Sequence, residues 1–262
     1  MDALRNIFYR LELIVDGVAC IKISDPEVKR ILVEQLDQDG NGEVNESEAV
    51  NVQIKANWFQ NNQEIRTFRE LKKFKGLTSA HDYVFRGSSI EVIEFSEGQS
   101  LRGGAFFDCL NLREIVLPPD MTNLNWLNNN PALERCDLPE TLEAIGADVF
   151  SSSQMESIII PEKVSSIGGG AFRYCNKLKK LVVKTNLITT FGGNFLADCP
   201  IIEDFVIYTE TPPALGWGSL DRTNSIMKIY VPDSSVDVYK AANGWKNRAN
   251  YIYPISSYAG EL

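Results

Sequence analysis

No stretch of this chain approaches the ~20 consecutive apolar residues that a membrane-crossing helix needs. The N-terminus has no secretory signal: Arg10, Glu12 and Asp16 interrupt what would have to be its apolar core, and no small-residue cleavage site follows. Either an export signal lies outside these residues or the protein stays inside the cell, and the sequence leaves both open. Histidine is almost missing. The single His81 lies where a repeat turn is expected, and no G-x-S-x-G, H-E-x-x-H or phosphate-cradling glycine motif accompanies it. A hydrolytic triad needs a histidine beside a nucleophile and an acid. The chain is therefore expected not to be an enzyme. The five cysteines, Cys20, Cys109, Cys136, Cys175 and Cys199, form no C-x-x-C pair, which removes the zinc and thioredoxin-like readings.

Basic patches are lacking too. The net charge is −9, from 26 basic and 35 acidic residues. Nucleic acids and anionic membranes both attract positive surface, so neither is expected as a partner. The densest basic run, Lys177, Lys179, Lys180 and Lys184, reads as a solvated face.

What is present is periodicity. Segments beginning at Ile90, Leu112, Leu133, Met155, Leu178 and Ile202 share an apolar-x-x-apolar-x-apolar pattern at spacings of 22, 21, 22, 23 and 24 residues. That interval lies in the range of leucine-rich repeats. Each unit has a second half, such as Leu142-Glu-Ala-Ile-Gly-Ala-Asp-Val-Phe150 and Val164-Ser-Ser-Ile-Gly-Gly-Gly-Ala-Phe172. The recurring glycines suggest tight turns. Cys109, Cys175 and Cys199 follow their phenylalanines at one place per unit and read as buried free thiols. A unit of this size cannot bury its own apolar face. Stacked units share one core, and their strands pair in parallel. The fold class is thus a repeat solenoid with a parallel β-sheet over 61–227, strands being expected near 90–95, 112–117, 133–138, 155–160, 178–183 and 202–207. A C-terminal strand-helix-strand cap is expected over 228–262.

The N-terminal region, 1–60, carries a different signal. Asp37-Gln-Asp39-Gly-Asn41-Gly42-Glu43-Val44-Asn45-Glu46-Ser47-Glu48 fits the twelve-residue EF-hand calcium loop. Asp37, Asp39 and Asn41 are hard oxygen donors, Glu43 offers its backbone carbonyl, Asn45 acts directly or through water, and Glu48 is the bidentate ligand; the cofactor is Ca2+. Asp25-Pro26 begins the entering helix with a cap and an N1 proline. An exit helix is expected at about 47–53. There is one loop only, so a structural clip is favoured over a switch. Upstream, Leu11–Val15 and Val18–Ile23 flank Asp16-Gly17, which predicts a β-hairpin; a single helix over Leu4–Val15 is the competing reading.

The combined I-P…I-G…A-F-x-x-C phrasing resembles the bacterial surface antigen (BspA-like) leucine-rich-repeat family of gut and oral Bacteroidetes. The ending Thr211-Pro-Pro-Ala-Leu215, Ile229-Tyr-Val-Pro232 and Val238–Trp245 is similar to that family's usual C-terminus, and Asp37–Glu48 followed by Phe68–Ser79 is similar to its N-terminal module. The unit at 112–132 departs from the pattern, having an Asn-rich stretch for its second half. The resemblance implies a cell-surface or secreted protein that adheres to a protein partner, such as a host matrix protein. Candidate contact positions are the outward strand residues Val116, Ile159, Val182 and Val206, with Arg135 and Lys180 beside them. The alternative is a glycan-binding module using Trp126, Trp217 and Trp245.

Overall fold

The computed structural model describes residues 13–15, 17–50, 52–74, 82–100 and 103–260. Strands β1 (Leu13–Val15) and β2 (Val18–Cys20) form the expected hairpin, with Leu13 opposite Cys20 and Gly17 at φ 79°. The competing helix is thereby ruled out over 13–15; Asp16, like Leu4–Glu12, lies outside the described residues. Helix α1 (Pro26–Leu36) buries Val28, Ile31 and Leu32. The exit helix α2 (Glu46–Ala49) is a single turn, shorter than expected.

The six expected strands are all present: β4 (Val92–Glu94), β5 (Glu114–Val116), β7 (Arg135–Asp137), β9 (Ser157–Ile160), β11 (Lys180–Val183) and β13 (Asp204–Ile207). A short β3 (Thr67–Phe68) precedes them, and β15 (Lys228–Val231) and β16 (Ile252–Pro254) follow, with α3 (Val236–Ala241) between the last two. The second halves of the units form two-residue strands of their own: β6 (Asn123–Leu124), β8 (Ala144–Ile145), β10 (Ser166–Ile167), β12 (Thr190–Phe191) and β14 (Ala214–Leu215). The order β6-β8-β10-β12-β14 makes one continuous parallel sheet on the opposite face. The repeat solenoid is thus built of coils with a strand on each of two faces.

The principal sheet is not continuous. It consists of β3-β4-β5-β7 and of β9-β11-β13-β15-β16, with no pairing between β7 and β9. At every neighbouring junction the amide entering the strand donates to the carbonyl one coil earlier: Arg113 to Glu91, Glu134 to Arg113, Lys179 to Glu156, Glu203 to Lys179 and Lys228 to Glu203, each at 2.8 Å. No such bond joins Glu156 to Glu134.

The core is the space between the two faces. Phe59, Phe85, Phe106 and Trp126 stack coil upon coil with ring centroids 5.2, 5.0 and 5.6 Å apart. Phe150, Phe172 and Phe195 continue at 5.4 and 5.7 Å. Between these two runs, buried Leu127 stands at the phenylalanine position and the stack is interrupted, at the same junction where the sheet opens.

Of the recurring glycines, Gly103 and Gly104 take positive φ, as tight turns require, and others serve a different purpose. In Gly168-Gly169-Gly170 only Gly170 has positive φ, 65°. A Cβ on Gly168 would lie 2.4 Å from the amide nitrogen of Ala147, and one on Gly192 2.4 Å from that of Gly169. These glycines are required because adjacent coils approach backbone to backbone.

The C-terminal cap continues the solenoid before closing it. β15 pairs with β13 and β16 with β15, both parallel. Tyr239 donates its hydroxyl to Thr209 O, and the Trp245 indole donates to Pro213 O, each at 2.8 Å. Both rings are fully buried.

Candidate functional site

Asp25 sets the position of the Asp37–Glu48 loop. Its Oδ1 accepts from the amides of Glu27 and Val28, both at 3.0 Å, which caps α1. Its Oδ2 accepts from Arg66 and Thr67 at 2.8 and 2.9 Å, which ties the same cap to the first solenoid strand. Burial of Val28, Ile31 and Leu32 then fixes α1 against the core, and Asp37 follows directly at its C-terminus.

The loop is shaped by its own side chains. Asp37 accepts from Gly40 N at 2.8 Å and Gly42 N at 2.9 Å. Those amides, Gly42 foremost, hold its carboxyl below the usual carboxylate range. Asn41 Oδ1 accepts from Glu43 N, and Asn41 Nδ2 donates to Asp39. Asn45 caps α2 by accepting from Ser47 and Glu48, while Glu48 returns the bond to Asn45 N at 2.9 Å: a capping box. Glu43 pairs through its side chain with Lys29.

Of the six expected ligands, the carboxylates of Asp37, Asp39 and Glu48 converge, each offering an oxygen within 4.8 Å of the others. The side-chain oxygens of Asn41 and Asn45 are engaged by backbone amides. Three hard carboxylate oxygens on a loop with left-handed glycines at positions 40 and 42 suit a calcium-sized cation, and no soft donor stands among them.

The loop does not stand unsupported. Val44, fully buried, accepts from Ile21 N at 2.8 Å, and Cys20 bridges to Asn45 in antiparallel sense. The end of the N-terminal hairpin therefore supplies backbone pairing to the loop. Sequence reasoning missed this because Cys20-Ile21 and Val44-Asn45 form only one bridge.

The expected outer stripe is split. Val116 and Ile159 are each 42% exposed, whereas Val182 and Val206 are fully buried. This corrects the reading of all four as surface positions. Residues beyond β16 fold back over the outer face, so Val182, Val206 and Tyr230 form a small cluster under Tyr208, Ile255 and Tyr258. The Tyr230 and Tyr258 rings are 4.7 Å apart. Arg135 remains exposed, with Glu114 3.9 Å away, and Lys180 is half-buried. Of the three candidate tryptophans, Trp126 and Trp245 are core residues and Trp217, 83% exposed, faces solvent. His81 lies outside the described residues.

The cysteines are free and buried, and they also donate. Cys109, Cys175 and Cys199 give their thiols to the carbonyls of Phe85, Phe150 and Phe172 at 2.9, 3.1 and 3.0 Å. Burial pushes the Cys109 thiol up to about 12. Ser88, Asn130, Ser153 and Thr223 occupy the same place in the other coils, a column visible in the sequence only once serine, asparagine and threonine are read as equivalents of cysteine.

Residues 45–128 and 127–213, more than half of the chain, match the family model described as BspA type leucine rich repeat region, in six copies. No curated protein matches the chain. Among solved structures, a leucine-rich repeat protein from Bacteroides ovatus is 18% identical over 69% of this chain and 59% of its own, with a TM-score of 0.41. A leucine rich cell surface protein from Faecalibacterium prausnitzii is 19% identical over 62% and 47%, at 0.41. The pneumococcal vaccine antigen PcpA is 16% identical over 74% and 43%, at 0.37. The chain thus spans about half the length of these structures. Among the described residues no helix is long and apolar enough to cross a membrane.

Proposed function

The chain belongs to the BspA-type leucine-rich-repeat family, and from that premise we propose that it is a non-enzymatic, surface-displayed or secreted adhesion protein that presents the outer face of its principal sheet to a protein partner. The observation that carries this reading is the exposure of Val116 and Ile159, each 42%, beside exposed Arg135 on a strand surface that the C-terminal segment leaves uncovered. Apolar side chains flanked by charge on a rigid scaffold are what a protein partner buries. In this reading a host matrix protein is the class of partner, and Asp37, Asp39 and Glu48 would hold a calcium ion, with Asn41, Asn45 and the Glu43 carbonyl completing its shell. When bound, the ion would offset the mutual repulsion of three carboxylates and stiffen the N-terminal cap.

The test is capture on an array of matrix proteins and defined glycans, using wild type, Val116→Lys and Trp217→Ala. Protein capture lost in Val116→Lys supports the proposal. Glycan capture lost in Trp217→Ala, with protein spots blank, replaces it with the glycan-binding reading, for which exposed Trp217 is the one candidate platform.

A further inference from the structure

The break between β7 and β9 leaves backbone groups without partners in the middle of an otherwise fully paired sheet. Within a strand, the amide and carbonyl of one residue point to the same side, and successive residues alternate sides. Arg135 N donates to Arg113 O at 3.0 Å, so Arg135 and Asp137 face β5 and Cys136 faces the opening. Lys180 N and Lys184 N donate to Glu156 O and Ile160 O at 3.2 and 3.0 Å, so the even positions of β9 face β11. Ser157 and Ile159 therefore face the opening from the other side.

The coils still touch elsewhere. Gln154 N reaches Leu133 O at 2.8 Å just before the strands, and β6 pairs with β8 on the opposite face. The two halves of the solenoid are hinged along that far face and parted along this one. The cause is local. Leu127 interrupts the aromatic stack, and Asn130 sits in the column that cysteine or serine fills in the flanking coils. The buried Oδ1 atoms of Asn128 and Asn130 find no partner there.

The opening is a cleft of about 420 Å³. Its floor is apolar, formed by Cys136, Met155 and Ile158, and its lips carry Arg135, Asp137 and Ile159. Arg135 and Asp137 lie on β7, which pairs with the strand of Val116, and Ile159 is itself exposed, so the cleft lies within the uncovered part of the outer face. Unpaired strand edges on both walls call for an occupant that brings its own alternating amides and carbonyls on both sides. Only extended polypeptide does so, and its inward side chains would meet an apolar floor.

We propose that the cleft between β7 and β9 is a β-augmentation site, which takes an extended segment of a partner protein as an additional strand of the principal sheet. The segment alternates apolar residues toward Cys136, Met155 and Ile158 with outward residues of any polarity. This rests on the reading of the outer face as protein-binding.

The probe is the end-blocked peptide Ile-Glu-Asp-Phe-Val-Ile-Tyr-Thr, the sequence of 202–209, which in the solenoid already lies between two parallel partners, β11 and β15. Both of its charged residues are acidic, so attraction to an acidic protein cannot account for its binding. In the free protein the amides of Cys136, Ser157 and Ile159 should exchange fast compared with those of Leu181 and Phe205, and the peptide should slow them. Ser157→Pro removes one donor facing the cleft without touching the β9–β11 ladder. It should weaken the peptide by about fivefold to tenfold, one hydrogen bond's worth, while Ser157→Ala leaves binding unchanged and both variants keep the wild-type Tm. Amides at Cys136 and Ile159 already as protected as Phe205 would show the cleft to be closed in solution and end the proposal. So would equal binding to wild type and Ser157→Pro, or a dimer of this chain that Ser157→Pro abolishes. Matrix-protein capture that is lost in Val116→Lys, with no peptide binding at all, would remove the cleft while leaving the outer-face reading intact.

Discussion

Asp25 and Thr67 are joined by a 2.9 Å hydrogen bond from the Thr67 amide to the Asp25 carboxylate, whose other oxygen caps α1. One buried side chain therefore serves both the helix leading into the Asp37–Glu48 loop and the first strand of the solenoid. Asp25→Ala removes the cap and leaves the Arg66 and Thr67 amides without their acceptor. The expected cost is about 2–4 kcal/mol of unfolding free energy, and Asp25→Asn, which keeps one oxygen, should cost less. Urea unfolding measures both; a loss under ~0.5 kcal/mol for the alanine variant would mean that water replaces the carboxylate.

The calcium proposal has a thermodynamic consequence that travels through this link. A ligand at about 100 times its dissociation constant adds roughly 2.7 kcal/mol to the folded state. Millimolar calcium should raise the Tm of the wild type and a chelator should lower it again. Glu48→Gln should lose most of the response, and magnesium should substitute poorly because it demands tight octahedral geometry. A wild-type Tm indifferent to calcium would refute the site.

The covered half of the outer face is checked with a double-mutant cycle. Val206→Lys in the full chain places a charge under Tyr258 and Ile255 and should cost several kcal/mol. In a chain ending at Pro254 the same substitution meets less cover, so its cost should fall by at least about 1 kcal/mol. Identical costs in the two backgrounds would mean that the C-terminal segment does not shield the position.

The thiol column makes a chemical prediction. Cys175→Ser retains a side-chain donor for the Phe150 carbonyl, whereas Cys175→Ala leaves that carbonyl only the bond from the Ser153 amide. The alanine variant should be less stable than the serine variant by about 0.5–1.5 kcal/mol, one hydrogen bond's net worth, as read from denaturant midpoints. Equal stability would leave the cysteine as packing alone.

Much of this architecture was legible in the residues. The apolar-x-x-apolar-x-apolar intervals located six strands of the principal sheet, because strand periodicity and coil length are local properties. Asp25-Pro26 marked the start of α1 for the same reason, and Asp16-Gly17 marked the hairpin. The loop pattern from Asp37 to Glu48 brought three carboxylates together because its turns are built by its own side chains. Where a rule rests on neighbours a few residues away, the sequence contains both partners.

The tertiary structure decided the rest. Whether Val182 and Val206 are surface or interior depends on Tyr258 and Ile255 folding back from the far end of the chain, which no strand alternation records. Gly168 and Gly192 are needed for contact with the backbone of the preceding coil, a distance set only when coils stack. The pairing of Val44 with Ile21 depends on how the hairpin docks. The open edge between β7 and β9 is a relation between two successive coils, not a property of either strand alone. The sequence by itself determined the repeat and the chemistry of the loop, since both are written in short-range spacing; which faces stayed open was decided by long-range packing, because burial is a property of what comes to lie on top.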